Sequence, residues 1–153
     1  MFSRILALFS GDNDFKTELP QADARNALGA LMVRAAKADH AYLFEEVEQI
    51  DAVLGKLYGL NPVQAAKMRA GCELLEEEMP VTEQLAGILH DAISIADREA
   101  AVSALWSVVF ADGVEREEED ELLHAVEAAL GVSPDVSKRL HDAEMAKLPK
   151  KRD

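Results

Sequence analysis

Leu43, Val47, Ile50, Leu54 and Leu57 recur at alternating intervals of four and three residues, which lays one apolar stripe along a helix. Val102, Leu105, Trp106, Val109 and Phe110 follow a similar period, as do Leu122, Leu123, Val126 and Leu130. The polar breaks between these runs carry start and stop signals. Gly59 closes one segment, and Asn61-Pro62 restarts the chain as N-cap and first helical position. Gly131 with Ser133-Pro134-Asp135 repeats the device. The pattern predicts a first long helix from Pro20–Asp23 to Lys37, a second carrying the stripe, and a third running to about Glu78. A fourth is capped by Thr82 and ends near Ile95, and Asp97 caps the fifth. The sixth follows Asp112-Gly113, and the seventh opens at Ser133. Strand-forming runs are scarce, so the expected fold is all-α, a single-domain bundle of about seven helices plus a short amphipathic helix at residues 2–9. The expected divisions are an N-terminal segment and linker at 1–19, a helical domain at 20–146 and a basic tail at 147–153.

Two stretches 73 positions apart share a pattern: Ala38-Asp39 followed by Glu45, Glu46 and Glu48, and Ala111-Asp112-Gly113 followed by Glu118, Glu119 and Glu121. The alignment extends to core positions, Met32 with Leu105, Val33 with Trp106, Val53 with Val126 and Leu57 with Leu130. After one inserted residue, Gly59-Leu60-Asn61-Pro62 aligns with Gly131-Val132-Ser133-Pro134. Shared caps as well as shared core positions imply two pseudo-repeats, about 24–79 and 97–146, related by a pseudo-two-fold axis around one core.

Charge narrows the partners. The 153 residues carry 29 acids against 16 Lys and Arg, a formal net charge of −13. Such a surface repels phosphate backbones, so nucleic acid is excluded in favour of cations or a partner protein with a basic surface. The single Cys72 rules out an internal disulfide and a multi-thiolate metal site, and is read as a small buried hydrophobe. No run is long enough to span a membrane, and residues 2–9 make a poor signal peptide, so the chain reads as cytoplasmic. Docking onto the bundle is the plain reading of residues 2–9; membrane-surface contact or formation of a homodimer is the sharper one.

The candidate site is the acidic turn. Asp112 precedes Glu115, Glu118 and Glu119, and an Asp in a turn with Glu residues in the next helical turn converges the oxygen ligands that Ca²⁺, Mg²⁺ or Mn²⁺ prefer. Asp39, Glu45 and Glu46 form the counterpart, with Glu48 and His40 beside them. The spacing is not that of an EF-hand. The competing structural reading is that acids in a first helical turn complement the helix N-terminus, and that a Glu there reaches back to free backbone N–H groups. His40, His90, His124 and His141 form no His-x-x-x-His pair, which argues against zinc. His90-Asp91 and His141-Asp142, as sequence neighbours, are expected to face apart. Trp106 is read as core, and Glu76-Glu77-Glu78, at a helix end unfavourable to acids, as a solubilising run. No catalytic constellation is visible; an enzyme should show a concave pocket of titratable groups with strongly perturbed pKa values.

The segment VVFADGVEREEEDELLHAVEAALGVSP (108–134), its degenerate partner RAAKADHAYLFEEVEQIDAVLGKLYGLNP (34–62) and the opening FSRILALFSG resemble the TerB-like family, named after a protein of bacterial tellurite-resistance operons. The likeness covers roughly residues 2–140. It implies an all-helical fold and a loose association with stress or metal-oxyanion response; similar domains occur fused to J-domain co-chaperones. The chain departs from the pattern at Asp39-His40-Ala41, where the second copy has Asp112-Gly113-Val114, and the lost glycine is expected to alter the turn. The combined expectation is a non-catalytic interaction domain that uses acidic faces in a stress or tellurite-type response. The alternative is divalent-cation binding at Asp112–Glu119, with Asp39–Glu46 as a weaker counterpart.

Overall fold

The computed structural model describes residues 19–38 and 40–148. The N-terminal amphipathic segment, Asp39 and the end of the basic tail lie outside the described residues. Seven α-helices follow one another: α1 Ala24–Lys37, α2 Phe44–Tyr58, α3 Pro62–Glu78, α4 Thr82–Ala92, α5 Ile95–Val109, α6 Glu117–Leu130 and α7 Pro134–Met145. A single 3₁₀ turn, Phe110–Asp112, extends α5. Among the described residues there is no strand, and no helix is long and apolar enough to cross a membrane. The all-α expectation holds.

Helix α1 is the axis. Its residues Ala27 to Val33 are all buried, as are Ala35 and Ala36, and α2, α3, α4, α5 and α6 all pack against it. A helix apolar on every side belongs inside a bundle. Its most extensive contact is with α3, where Gly29 faces Cys72 so closely that a methyl group at position 29 would overlap the thiol sulfur. Cys72 is fully buried, and burial pushes its thiol up to about 12, so it behaves as the small hydrophobe expected.

Arg34, near the end of α1, closes the same contact. It donates through Nε to Glu76 Oε2 at 3.2 Å and through Nη2 to the carbonyls of Glu76 and Met79, while Lys37 donates to Glu76 Oε1 at 2.9 Å. The acid at the α3 C-terminus, read as solubilising, is instead the anchor for two cations of α1.

Most helix ends follow the sequence. Asn61 and Ser133 cap α3 and α7 by accepting from the backbone N–H of Gln64 and Val136, and Gly59 and Gly131 end α2 and α6 in the left-handed region. Three details differ. Ser94, not Asp97, caps α5: its hydroxyl accepts the Asp97 N–H, so Asp97 sits in the first turn. Thr82 is the first residue of α4 rather than its cap, and its hydroxyl accepts from Arg34 Nη1 at 3.3 Å. Helix α4 stops at Ala92, before Ile95. Within the α2 stripe, Ile50 and Leu54 are fully buried but Leu57 is 46% exposed, because the last turn runs past the core.

Candidate functional site

The Asp112 turn is built from the backbone outwards. Gly113 takes φ 78°, and its N–H donates to Phe110 O at 2.9 Å, so the chain reverses sharply after α5. Asp112 Oδ1 accepts the Val114 N–H at 3.0 Å, which closes an Asx turn. Its other oxygen, Oδ2, accepts from Arg116 Nη1 at 2.8 Å. The same Nη1 lies 3.7 Å from Oε1 of Glu119, whose side chain is fully buried. Asp112 and Glu119 therefore converge as the sequence suggested, and the cation they converge on is a guanidinium of the same chain. Among the described residues, no three His, Cys, Asp or Glu side chains are grouped to hold a metal ion.

The other predicted residues disperse. Glu118 is exposed at the start of α6, and Glu45 is exposed at the start of α2. Glu46 is fully buried and accepts the Leu43 N–H at 3.1 Å, which satisfies an orphan donor at the α2 N-terminus. Asp39 lies outside the described residues. Next to it, His40 has φ 65° and donates its N–H to Lys37 O at 2.9 Å. The turn expected to change with the lost glycine is kept, with histidine holding the left-handed conformation.

Glu115 turns away from Asp112 towards α7, where its Oε1 lies 2.9 Å from His141 Nε2. It joins a cleft of about 520 Å³ between α5, α6 and α7. His141 anchors this cleft: its ring meets the Trp106 indole edge-on at 4.7 Å, and its Nδ1 lies 2.9 Å from Asp142 Oδ1. His90 Nδ1 contacts Asp91 Oδ1 at 3.2 Å in the same way. Both neighbouring His-Asp pairs, expected to face apart, curl together, His90 with Asp91 on the exposed surface of α4 and His141 with Asp142 at the cleft. Beneath the cleft, Trp106 Nε1 donates to Glu127 Oε1 at 3.0 Å, and Ser137 Oγ donates to Glu127 Oε2. Trp106 is core as expected, 1% exposed, and also floors the cleft.

The electrostatics of the cleft are coupled. Burial raises Asp120 to about 7, with the hydrogen bond to Glu115 and that group's charge adding to it. Burial alone would raise Glu115, but hydrogen bonds from Asp120 and His141 outweigh it and hold the carboxyl low. Burial would lower His141, and its contacts with Asp142 and Glu115 reverse that, so the imidazole is raised. The pocket of perturbed groups set as the mark of an enzyme is thus present, on residues of which the sequence had placed only Glu115 in a candidate site, with His141 read as a surface or half-buried histidine. No short motif pointed to it, because Glu115 and His141 lie 26 positions apart.

The sequence matches the family model of the tellurite resistance protein TerB over residues 25–142. That span covers most of the chain and all of the site described above. The chain belongs to the TerB family. No curated protein and no solved structure matches. The match spans α1 to the middle of α7, so both acidic turns and the cleft lie inside the TerB domain.

Proposed function

We propose that this TerB-family chain is a non-catalytic interaction module that receives a basic surface of a partner protein, in a stress or tellurite-type response. One observation carries the reading. Glu117, Glu118 and Glu121 are exposed along the first turns of α6 and make no ion pair among the described residues. The inner acids of the same region are already engaged, Asp112 and Glu119 with Arg116, and Glu115 with His141. What remains for a partner is a row of solvated carboxylates on a rigid helix, backed by a net charge of −13 that steers cationic surfaces towards it. The cleft is concave and titratable, but Glu115 and both nitrogens of His141 are held by one another and by Asp142, an arrangement suited to binding rather than to proton transfer.

The test is capture of a partner from lysate at low salt, repeated with Glu117, Glu118 and Glu121 all changed to Gln. The reading predicts a basic partner released by salt and lost with the triple variant. A partner retained by that variant contradicts it. The second reading, a divalent cation at Asp112 and Glu119, is supported by their convergence on one point, and requires Arg116 to move aside for the metal.

A further inference from the structure

We propose that the apolar groove where the start of α1 and the end of α2 meet α4 and α5 is the docking site of this chain's own residues 2–9. Leu28 and Leu89 are the buried part of its lining, and Leu57, Tyr58 and Ile93 are the more exposed part, Leu57 by 46%. The groove holds about 240 Å³. Apolar surface left open where four helices meet gains by taking in a further apolar element.

The segment fits this groove in pattern, charge and reach. Phe2, Ile5, Leu6 and Phe9 recur at i, i+3, i+4 and i+7, the spacing with which one helical face enters a groove. The volume suits a few such side chains rather than a partner domain. Asp97 is the carboxylate of the lining, and Arg4 is the cation of the segment. Arg25 lies 4.2 Å over the Tyr58 ring and lines both this groove and the neighbouring depression towards α3, where Lys67 stands. Neither Arg25 nor Lys67 has an ion pair among the described residues, and the linker carries Asp12 and Asp14. The described chain begins at Leu19, and Pro20 packs over Gly71, one helical turn along α3 from Lys67. The path from Leu19 back to Phe9 therefore starts beside the two cations and leads past them to the groove. Ten residues of extended chain span about 33–36 Å, against about 21 Å for the whole of α1, so the segment reaches the groove without strain. A tether this short holds the segment at an effective concentration on the order of millimolar, which favours it over a second copy.

A nitroxide attached to the full chain through Ser3→Cys tests the docking, because Cys72 is buried and does not compete for the label. The methyl signals of Leu57, Leu89 and Ile93 should broaden strongly, and those of Val114, beyond the far end of α5, should stay sharp. Ile5→Ser with Phe9→Ser in the same labelled chain should abolish the broadening at the groove. Asp12→Asn with Asp14→Asn should lower the docking equilibrium by roughly two- to tenfold, as expected for exposed ion pairs. A mixture of spin-labelled chains with isotope-labelled chains that carry no nitroxide should leave the groove signals sharp. Groove signals that stay sharp in the labelled full chain, or broadening that survives Ile5→Ser with Phe9→Ser, overturn the proposal. Broadening in the mixture gives the groove to the segment of a second copy and overturns the intramolecular assignment. Docking unchanged by the linker variant overturns the part given to Arg25 and Lys67.

Discussion

His40 and Gly113, 73 positions apart, hold the same backbone turn: φ is 65° at one and 78° at the other, and each donates its N–H to the carbonyl three residues before it. A side chain in this region is strained unless the fold compensates, and histidine tolerates it better than most residues. Gly113→Ala should therefore cost about 1–2 kcal/mol. His40→Gly relieves strain but loosens the unfolded chain, so it should change stability by less than about 1 kcal/mol. Urea midpoints of the two variants check the contrast, and equal losses would show that the two turns are not held alike.

Arg116 holds two carboxylates that would otherwise face each other. Arg116→Met leaves Asp112 and the buried Glu119 without their shared guanidinium and should destabilise by roughly 2–4 kcal/mol. For the same reason, millimolar Ca²⁺, Mg²⁺ or Mn²⁺ should leave the wild-type melting temperature unchanged. A rise with metal that disappears in Asp112→Asn with Glu119→Gln would instead establish the cation reading.

The cleft predicts how stability follows pH. Asp120 is raised in the folded state, so its burial costs nothing below its unfolded pKa and its full penalty is felt above about 7. His141 is also raised, so it stabilises below its unfolded pKa and that contribution is lost as pH rises through its folded value. Asp120 therefore makes stability fall between about pH 4 and 7, and His141 continues the fall above its unfolded value of 6.5. Glu115 is lowered, so it acts in the acid range, where its contribution is lost as pH falls. Denaturant midpoints at half-unit steps should fall from about pH 5 to pH 7 in wild type, and that part of the fall should flatten in Asp120→Asn. A slope unchanged by that variant would assign the dependence elsewhere.

Gly29 and Cys72 test the packing of the central helix. Gly29→Ala places a methyl on the Cys72 sulfur and should cost about 1–3 kcal/mol. Cys72→Ala removes the obstacle, so the double variant should recover part of that loss, and a double-mutant cycle measures the coupling. Strictly additive losses would mean that α1 and α3 are not limited by this contact.

Much of this was legible in the chain because it is local. Gly59 with Asn61-Pro62 and Gly131 with Ser133-Pro134 write their helix ends within a few residues, and Ile50 and Leu54 write the buried face. Errors arose where two neighbours compete for one role, as Ser94 and Asp97 do for the α5 cap, or where a helix outruns the core, as at Leu57. The site was harder to read because its chemistry is non-local or of opposite sign to its surroundings. A run of acids drew attention to Asp112 and Glu119 and hid the Arg116 between them. The link from Glu115 to His141 crosses from one helix to another, which no periodicity records. Glu76 acquired its role only when α1 and α3 came together and brought Arg34 and Lys37 to it.

The central claim is that the exposed carboxylates of α6 recognise a basic partner. Its most direct measurement is the dissociation constant of the captured, purified partner, titrated at low and at physiological salt against wild type and against the Glu117, Glu118 and Glu121 to Gln triple variant. The account predicts binding that weakens steeply with salt in wild type, and is weaker by tenfold or more and nearly salt-independent in the variant. Equal affinity of the two proteins at low salt would contradict it.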